Sequence, residues 1–327
     1  MTTKSFFYTI SNMKTSNLEN KLITALKIKS YSGSEGAFCK YIEKLIPRDF
    51  YIKKHVVSRG RYNITASRGN SNVWIVCHTD TVPGDVPIRV TKDKIFGRGA
   101  IDNKGNIIAA IEAIRLMGDI NFLFTVGEEV DFAGARASKD LVNGIAIVME
   151  PTNFKIRTSQ CGVISFNIIS KGVRAHSSLD VGVKNHAMNK MIKTLNELLK
   201  QKWHRLNIGT IEGGVVANII SKEIRASLSV RPKSVDEFET IMSYLSAIKE
   251  VKIDIINALK PKTKSVVIKG AIDDPVAFFS ELAFFKRGVV FGVGDINLAH
   301  TDTEHILRRD LELAPSKISD LVASLSK

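Results

Sequence analysis

The chain has 327 residues, 44% of them hydrophobic and 24% charged, and a formal net charge of +14. Those fractions belong to a soluble globular protein, and the length is long for one core and fits two domains. No apolar run approaches the length needed to cross a bilayer, which excludes a membrane span. The stretch Ser5-Phe6-Phe7-Tyr8-Thr9-Ile10 is too short for a signal-peptide core. The expectation is a cytoplasmic protein, with Met13 an alternative start that would leave residues 1–12 a disordered extension. Cys39, Cys77 and Cys161 are odd in number, widely spaced and without a Cys-x-x-Cys pair, so neither a disulfide framework nor a zinc knuckle is expected.

Residues 16–29 read as a helix, with Leu18, Leu22, Ile23 and Leu26 on one face. A second helix near residues 35–46 leads by way of Pro47 to a strand around Phe50–Val57. The apolar run from Asn72 ends in His78-Thr79-Asp80. Period-two alternation puts His78 and Asp80 on one side of the chain, so the Asp80 carboxylate is expected to orient the imidazole. Next, Gly97-Arg98-Gly99-Ala100-Ile101-Asp102-Asn103-Lys104-Gly105 is a glycine-rich turn carrying one carboxylate into a buried helix over residues 107–114. Phe122–Val126 then runs into Gly127-Glu128-Glu129, and Gly144–Met149 into Glu150-Pro151. The alternation of strands and helices predicts an α/β fold, a mixed twisted sheet flanked by helices.

After about residue 157 the pattern changes. Strands at Val163–Ser170, Arg205–Ile211, Glu223–Val230 and 250–257 alternate with helices over 184–202 and 234–247. That β-α-β-β-α-β order is the ferredoxin-like one. It predicts an inserted α+β domain over 158–264, within a catalytic domain made of 1–157 and 265–327. The return is expected as a strand at Ser265–Ile268, a helix near 274–286 and a strand at Gly288–Gly292.

Each piece has an ordinary reading alone. A histidine at a strand end is usually a core or surface residue, and a Glu-Glu pair before a helix complements its dipole. Together, His78, Asp102, Glu129, Glu150 and His300 make a ligand set for two divalent metal ions, delivered where strands stop. Imidazole and carboxylate without thiolate fit zinc, with cobalt or manganese as substitutes. Glu128 adjoins a ligand and is a candidate general base; spacing alone leaves open which of Glu128 and Glu129 is the base and which the ligand.

The segments His78-Thr79-Asp80, Gly97 to Gly105, Gly127-Glu128-Glu129, Glu150-Pro151-Thr152 and Ala299-His300-Thr301 resemble the dizinc amidohydrolases and exopeptidases related to acetylornithine deacetylase, succinyl-diaminopimelate desuccinylase, aminoacylase and glutamate carboxypeptidase. The resemblance spans nearly the whole chain. It implies that Asp102 bridges two ions, that His78 and Glu150 complete one site and Glu129 and His300 the other, and that Glu128 is the base. It also implies a cis peptide at Asp102–Asn103, and a homodimer whose inserted domain serves as lid and dimerisation surface. Within that domain, His176 resembles the histidine that stabilises the oxyanion, Asn218 a substrate contact and Arg231 the clamp for a substrate α-carboxylate. Gly294 is expected to let backbone approach the substrate, and Asp295 to read a distal ammonium. Three departures bear on substrate preference: Gly127 where an acid is common, Asn103-Lys104-Gly105-Asn106 where Met-Lys-Gly-Gly is common, and Ser221 where relatives often place proline.

The stretch from Phe291 to Ile306 looks most like the lysine and ornithine biosynthesis branch, which releases lysine or ornithine from an acidic amino-group carrier protein. A positive field would speed encounter with such a partner, although a lysine-rich surface typical of particular genomes also accounts for the charge. The lysines are not clustered with aromatics, so no nucleic-acid partner is expected. The alternatives are an acetylornithine deacetylase or succinyl-diaminopimelate desuccinylase-like deacylase or dipeptidase, and a metal-binding interaction module without catalysis.

Overall fold

The computed structural model describes residues 9–10 and 14–326; the expectations for residues 1–8 and for Met13 fall outside the described residues. Two compact units form. The first comprises the chain up to Thr158, Lys264–Asp273 and Ser280 onward, and the second Ser159–Thr263 with Asp274–Phe279. Among the described residues no helix is long and apolar enough to cross a membrane.

The first unit is built on a six-stranded mixed sheet in the order Arg287–Phe291, Ile145–Met149, Val73–His78, Ile120–Thr125, Arg61–Arg68, Tyr51–Ser58. The first four run parallel, Arg61–Arg68 runs antiparallel to them, and Tyr51–Ser58, antiparallel to Arg61–Arg68, returns to the first direction. Val73–His78, Ile120–Thr125 and Ile145–Met149 are buried at every residue, which explains their unbroken apolar runs: parallel strands are covered on both faces. Tyr51–Ser58 is the exposed edge, and Lys53 and Lys54 on it discourage pairing with another chain. Four helices share the sheet's core among the described residues: Asn17–Lys27, Gly36–Leu45, Lys104–Ala113 and Arg308–Leu325. The first opens with a capping box, Ser16 Oγ accepting from Glu19 N while the Glu19 carboxylate accepts from Ser16 N at 2.8 Å. Because three central strands run in one direction, the residues that follow His78, Thr125 and Met149 emerge at one edge of the sheet.

The second unit holds a four-stranded antiparallel sheet in the order Asn207–Gly213, Glu223–Val230, Val163–Lys171, Lys252–Leu259. That is the ferredoxin-like order. Helices Ala187–Lys200 and Val235–Ala247 close its core over Phe166, Ile168, Ala226 and Leu228.

Two local expectations are corrected. Residues 265–268 form no strand: the outer edge of Arg287–Phe291 is taken by Arg157, which exchanges both backbone bonds with Val290, and Ser265 reaches Gly288 N only with its hydroxyl. Residues 274–286 form no α-helix, only the 3-10 turn Glu281–Phe284. Pro275 removes a backbone donor, and Val276 lies extended beside Gln160, its N–H bonded to Ser159 O.

Candidate metal centre

At the sheet edge the structure gathers all five expected ligands, all from the first unit. Two triads, His78-Asp102-Glu150 and Asp102-Glu129-His300, each bring one donor atom per residue within 4.8 Å of the others, and they share Asp102. The sharing is by separate oxygens. His78 Nε2 lies 2.9 Å from Asp102 Oδ1, and His300 Nε2 lies 3.3 Å from Asp102 Oδ2 and 3.0 Å from Glu129 Oε2. Glu128 joins His78 and Glu129 in a third group but stands in neither triad built on Asp102.

His78 is held by Asp80, chiefly through the backbone. Its Nδ1–H donates to the Asp80 backbone carbonyl at 3.0 Å, while the Asp80 carboxylate stays 3.5 Å from that nitrogen. The carboxylate faces the glutamate loop instead. Oδ1 accepts the N–H groups of Gly127 and Glu128, each at 3.1 Å, and Oδ2 accepts those of Glu129 at 3.1 Å and the Ser32 hydroxyl at 2.7 Å. Nδ1 being engaged, Nε2 is the nitrogen presented to the cluster, the usual arrangement of a metal-binding histidine.

The electrostatics of the cluster are those of a cation site. Burial, then the neighbouring carboxylates, push the carboxyls of Glu128 and Glu150 well above the ordinary range, and burial also raises Glu129. Burial opposes ionisation of Asp102 too, but hydrogen bonds from His300 and His78 outweigh it and hold its carboxyl below the usual range. Burial likewise works against charge on His78, yet Asp102 and Asp80 hold its pKa well above the ordinary value. Asp102 and Glu129 drive His300 up to about 10. Such a group of acids keeps protons that divalent ions would displace. Buried Glu150 Oε1 also has no hydrogen-bond partner among the described residues. The donor set fits the two ions.

Local backbone explains why these segments need their sequences. The peptide Asp102–Asn103 is cis. His300 takes a left-handed φ of 64°, rare for a residue with a side chain, and so turns its half-exposed ring across Asp102 and Glu129. Gly294 has φ 101°, and a Cβ there would stand 2.5 Å from Ile101 Cγ2; its bareness lets this loop pack on the Asp102 turn. The Asp295 carboxylate accepts from Asn297 N at 3.0 Å and Asn297 Nδ2 at 2.9 Å, capping the short turn that leads to His300. The departure at Asn106 has a clear reason. Its buried amide donates to Ile101 O at 2.8 Å and accepts from Val293 N at 2.8 Å, tying the two loops together. The Gly127 departure leaves room that Arg61 and Asp131 occupy: a Cβ would lie 2.8 Å from Arg61 Nη2 and 2.9 Å from Asp131 Oδ1.

His176, Asn218 and Arg231 belong to the second unit. His176 and Asn218 are brought together there: His176 pairs in register with Ile219, and Ser177 N donates to Asn218 O at 2.9 Å. Arg231 follows the strand Glu223–Val230, its backbone bracketed by His204. Residues whose structural roles the sequence does not reveal are Ser32, Arg98, Asn106 and Glu304. The last three lie inside or beside recognised motifs, but their partners are far away in the chain.

The comparisons with known proteins agree with this geometry. Residues 74–323 match the model of peptidase family M20/M25/M40. A peptidase M20 domain-containing protein of Schizosaccharomyces pombe is 29% identical over 75% of this chain and 67% of its own length. A LysW-lysine/LysW-ornithine hydrolase of Sulfurisphaera tokodaii is 25% identical over 88% of this chain and 90% of its own. Among solved structures, the aminopeptidase PepT of Bacillus cereus superposes with a TM-score of 0.79 at 18% identity, covering 95% of this chain and 98% of that one. A dinuclear metal-binding M20 peptidase of Bacillus subtilis gives 0.70 at 14% identity, covering 94% and 97%. The chain belongs to the M20/M25/M40 peptidase family. It is a hydrolytic enzyme with a site for divalent metal ions.

Proposed function

We propose that the protein is a dizinc amide hydrolase that releases lysine or ornithine from an acidic amino-group carrier protein. The observation that carries the two-ion reading is Asp102, whose two oxygens face His78 on one side and His300 on the other. Bound there, divalent ions would acidify a water and polarise the amide carbonyl. Glu128 takes the proton from the attacking water and delivers it to the departing amine. Burial holds its carboxyl above the ordinary range, which favours its keeping the proton between the two transfers. Retention of this base beside the complete donor set argues against a module without catalysis.

The carrier substrate rests on the likeness to the LysW-lysine/LysW-ornithine hydrolase and on the charge of +14. His176 is proposed to stabilise the oxyanion, with Asn218 and Arg231 as substrate contacts and Arg231 on the α-carboxylate. A homodimer belongs to the same proposal. A second reading, a deacetylase or small peptidase acting without a carrier, is favoured by the relatives named as carboxypeptidases.

The two readings separate on salt. Steering of an acidic conjugate is screened beyond about 8–10 Å at ordinary ionic strength, so kcat/KM for a carrier conjugate should fall steeply along a salt series. Acetylated ornithine or lysine should respond far less, and Arg231→Ala should impair both. Equal slopes with the acetylated amino acid strongly preferred would remove the carrier.

A further inference from the structure

Glu304 lies four residues beyond His300 and is fully buried. Its Oε1 accepts the backbone N–H groups of Ile101 at 3.1 Å and Asp102 at 3.3 Å, and its Oε2 pairs with Arg98 Nη1 at 2.8 Å. Arg98 in turn donates through Nε to Gly84 O at 2.8 Å. The backbone repeats the connection: Gly97 N donates to Glu304 O at 3.2 Å, and His305 pairs with Phe96. One carboxylate thus grips the turn that carries Asp102 from the segment that carries His300.

A buried ion pair is a poor way to stabilise a fold. Desolvation offsets its attraction, and apolar residues of similar volume often do as well or better. What this pair supplies is direction. Donation from Ile101 and Asp102 holds the backbone from which the Asp102 side chain departs towards the two triads. Partners that orient a ligand in this way typically alter metal affinity or activity by about 10–100-fold when removed.

We propose that Glu304 is a positioning residue of the metal centre, holding Asp102 in its bridging direction and coupling it to the His300 segment. The inference rests on the two-ion reading. It predicts that loss of the Glu304 carboxylate weakens ion binding even where the chain remains folded.

The test is titration of metal-free protein with cobalt(II), followed by calorimetry and by visible absorption, which reports ion geometry without turnover. Glu304→Gln and Glu304→Asp are compared with the wild type and with Glu19→Gln, which breaks another buried pair, to Arg308. The Glu304 variants should bind about 10–100-fold more weakly, with an altered absorption band, while Glu19→Gln binds normally. If Glu304→Gln does not fold, the Asp variant, which keeps the charge but is one methylene short, carries the comparison. Wild-type affinity and spectrum in a folded Glu304 variant would overturn the proposal, as would equal weakening in Glu19→Gln. Absence of binding by the wild type would overturn the two-ion reading and this inference with it.

Discussion

Asp80 Oδ1 accepts the backbone N–H of Glu128 at 3.1 Å, and the same carboxylate takes the N–H groups on either side, from Gly127 and Glu129. A single side chain therefore fixes the loop bearing Glu128, the proposed base, and Glu129, a proposed ligand, while the carbonyl of the same residue orients His78. An amide at this position would keep one acceptor and turn N–H groups against N–H groups. Asp80→Asn should fold yet lose about 10–100-fold in kcat, and Asp80→Ala should in addition lose about 1–3 kcal/mol of stability from unpaired donors. Steady-state kinetics with thermal melting checks both; an unchanged kcat in Asp80→Asn would show the clamp to be dispensable.

Dialysed protein should retain two zinc-like ions per chain by elemental analysis. Removing the His300 ring dismantles the Asp102-Glu129-His300 triad and leaves the other intact, so His300→Ala should retain about one ion. A wild type without bound metal would defeat the two-ion reading.

Glu128→Gln preserves size and removes the proton acceptor. It should keep both ions and lose about 10²–10⁴-fold in kcat, whereas Glu129→Gln should lose metal. The opposite pattern of metal contents would reverse the roles of the two residues.

Glu281 tests the electrostatics of a buried carboxyl that is not one of the five expected ligands. It is fully buried, and burial, against a hydrogen bond with Thr125, pushes its carboxyl up to about 7. The unfolded chain releases that proton near the ordinary glutamate value of about 4.3. Between the two values the folded state binds more protons, so this group's contribution to stability falls as pH rises towards about 7 and is flat above. Glu281→Gln should remove that slope and stabilise the protein at alkaline pH by up to about 3 kcal/mol. Denaturant melts across the range read it directly; parallel pH profiles for variant and wild type would refute the shift.

Much of the site was legible because its signals are local. An apolar run followed at once by His78, by Gly127-Glu128-Glu129 or by Glu150 states both the strand and the acid or imidazole at its end, and period-two or 3.6-residue spacing needs only near neighbours. The four-stranded order of the second unit followed from the same kind of pattern. Local pattern failed where a distant partner chose the conformation. Residues 265–268 carry the β-branched run Val266-Val267-Ile268 and read as a strand, but Arg157 already fills the edge they would need, and the apolar residues of 274–286 mimic a helix although Val276 is drawn out beside Gln160.

Chemistry at single atoms was decided by the tertiary structure alone. The residue types, their order and their place at strand ends were determined by the sequence itself. Which Asp80 oxygen meets which N–H, and the pairing of Arg98 with Glu304 across 206 residues, were not. Nor was the tie of Asn106 to Val293 across 187. A buried polar atom takes whatever partner folding brings within about 3 Å, and that proximity arises only once the strands have stacked their ends at one edge of the sheet.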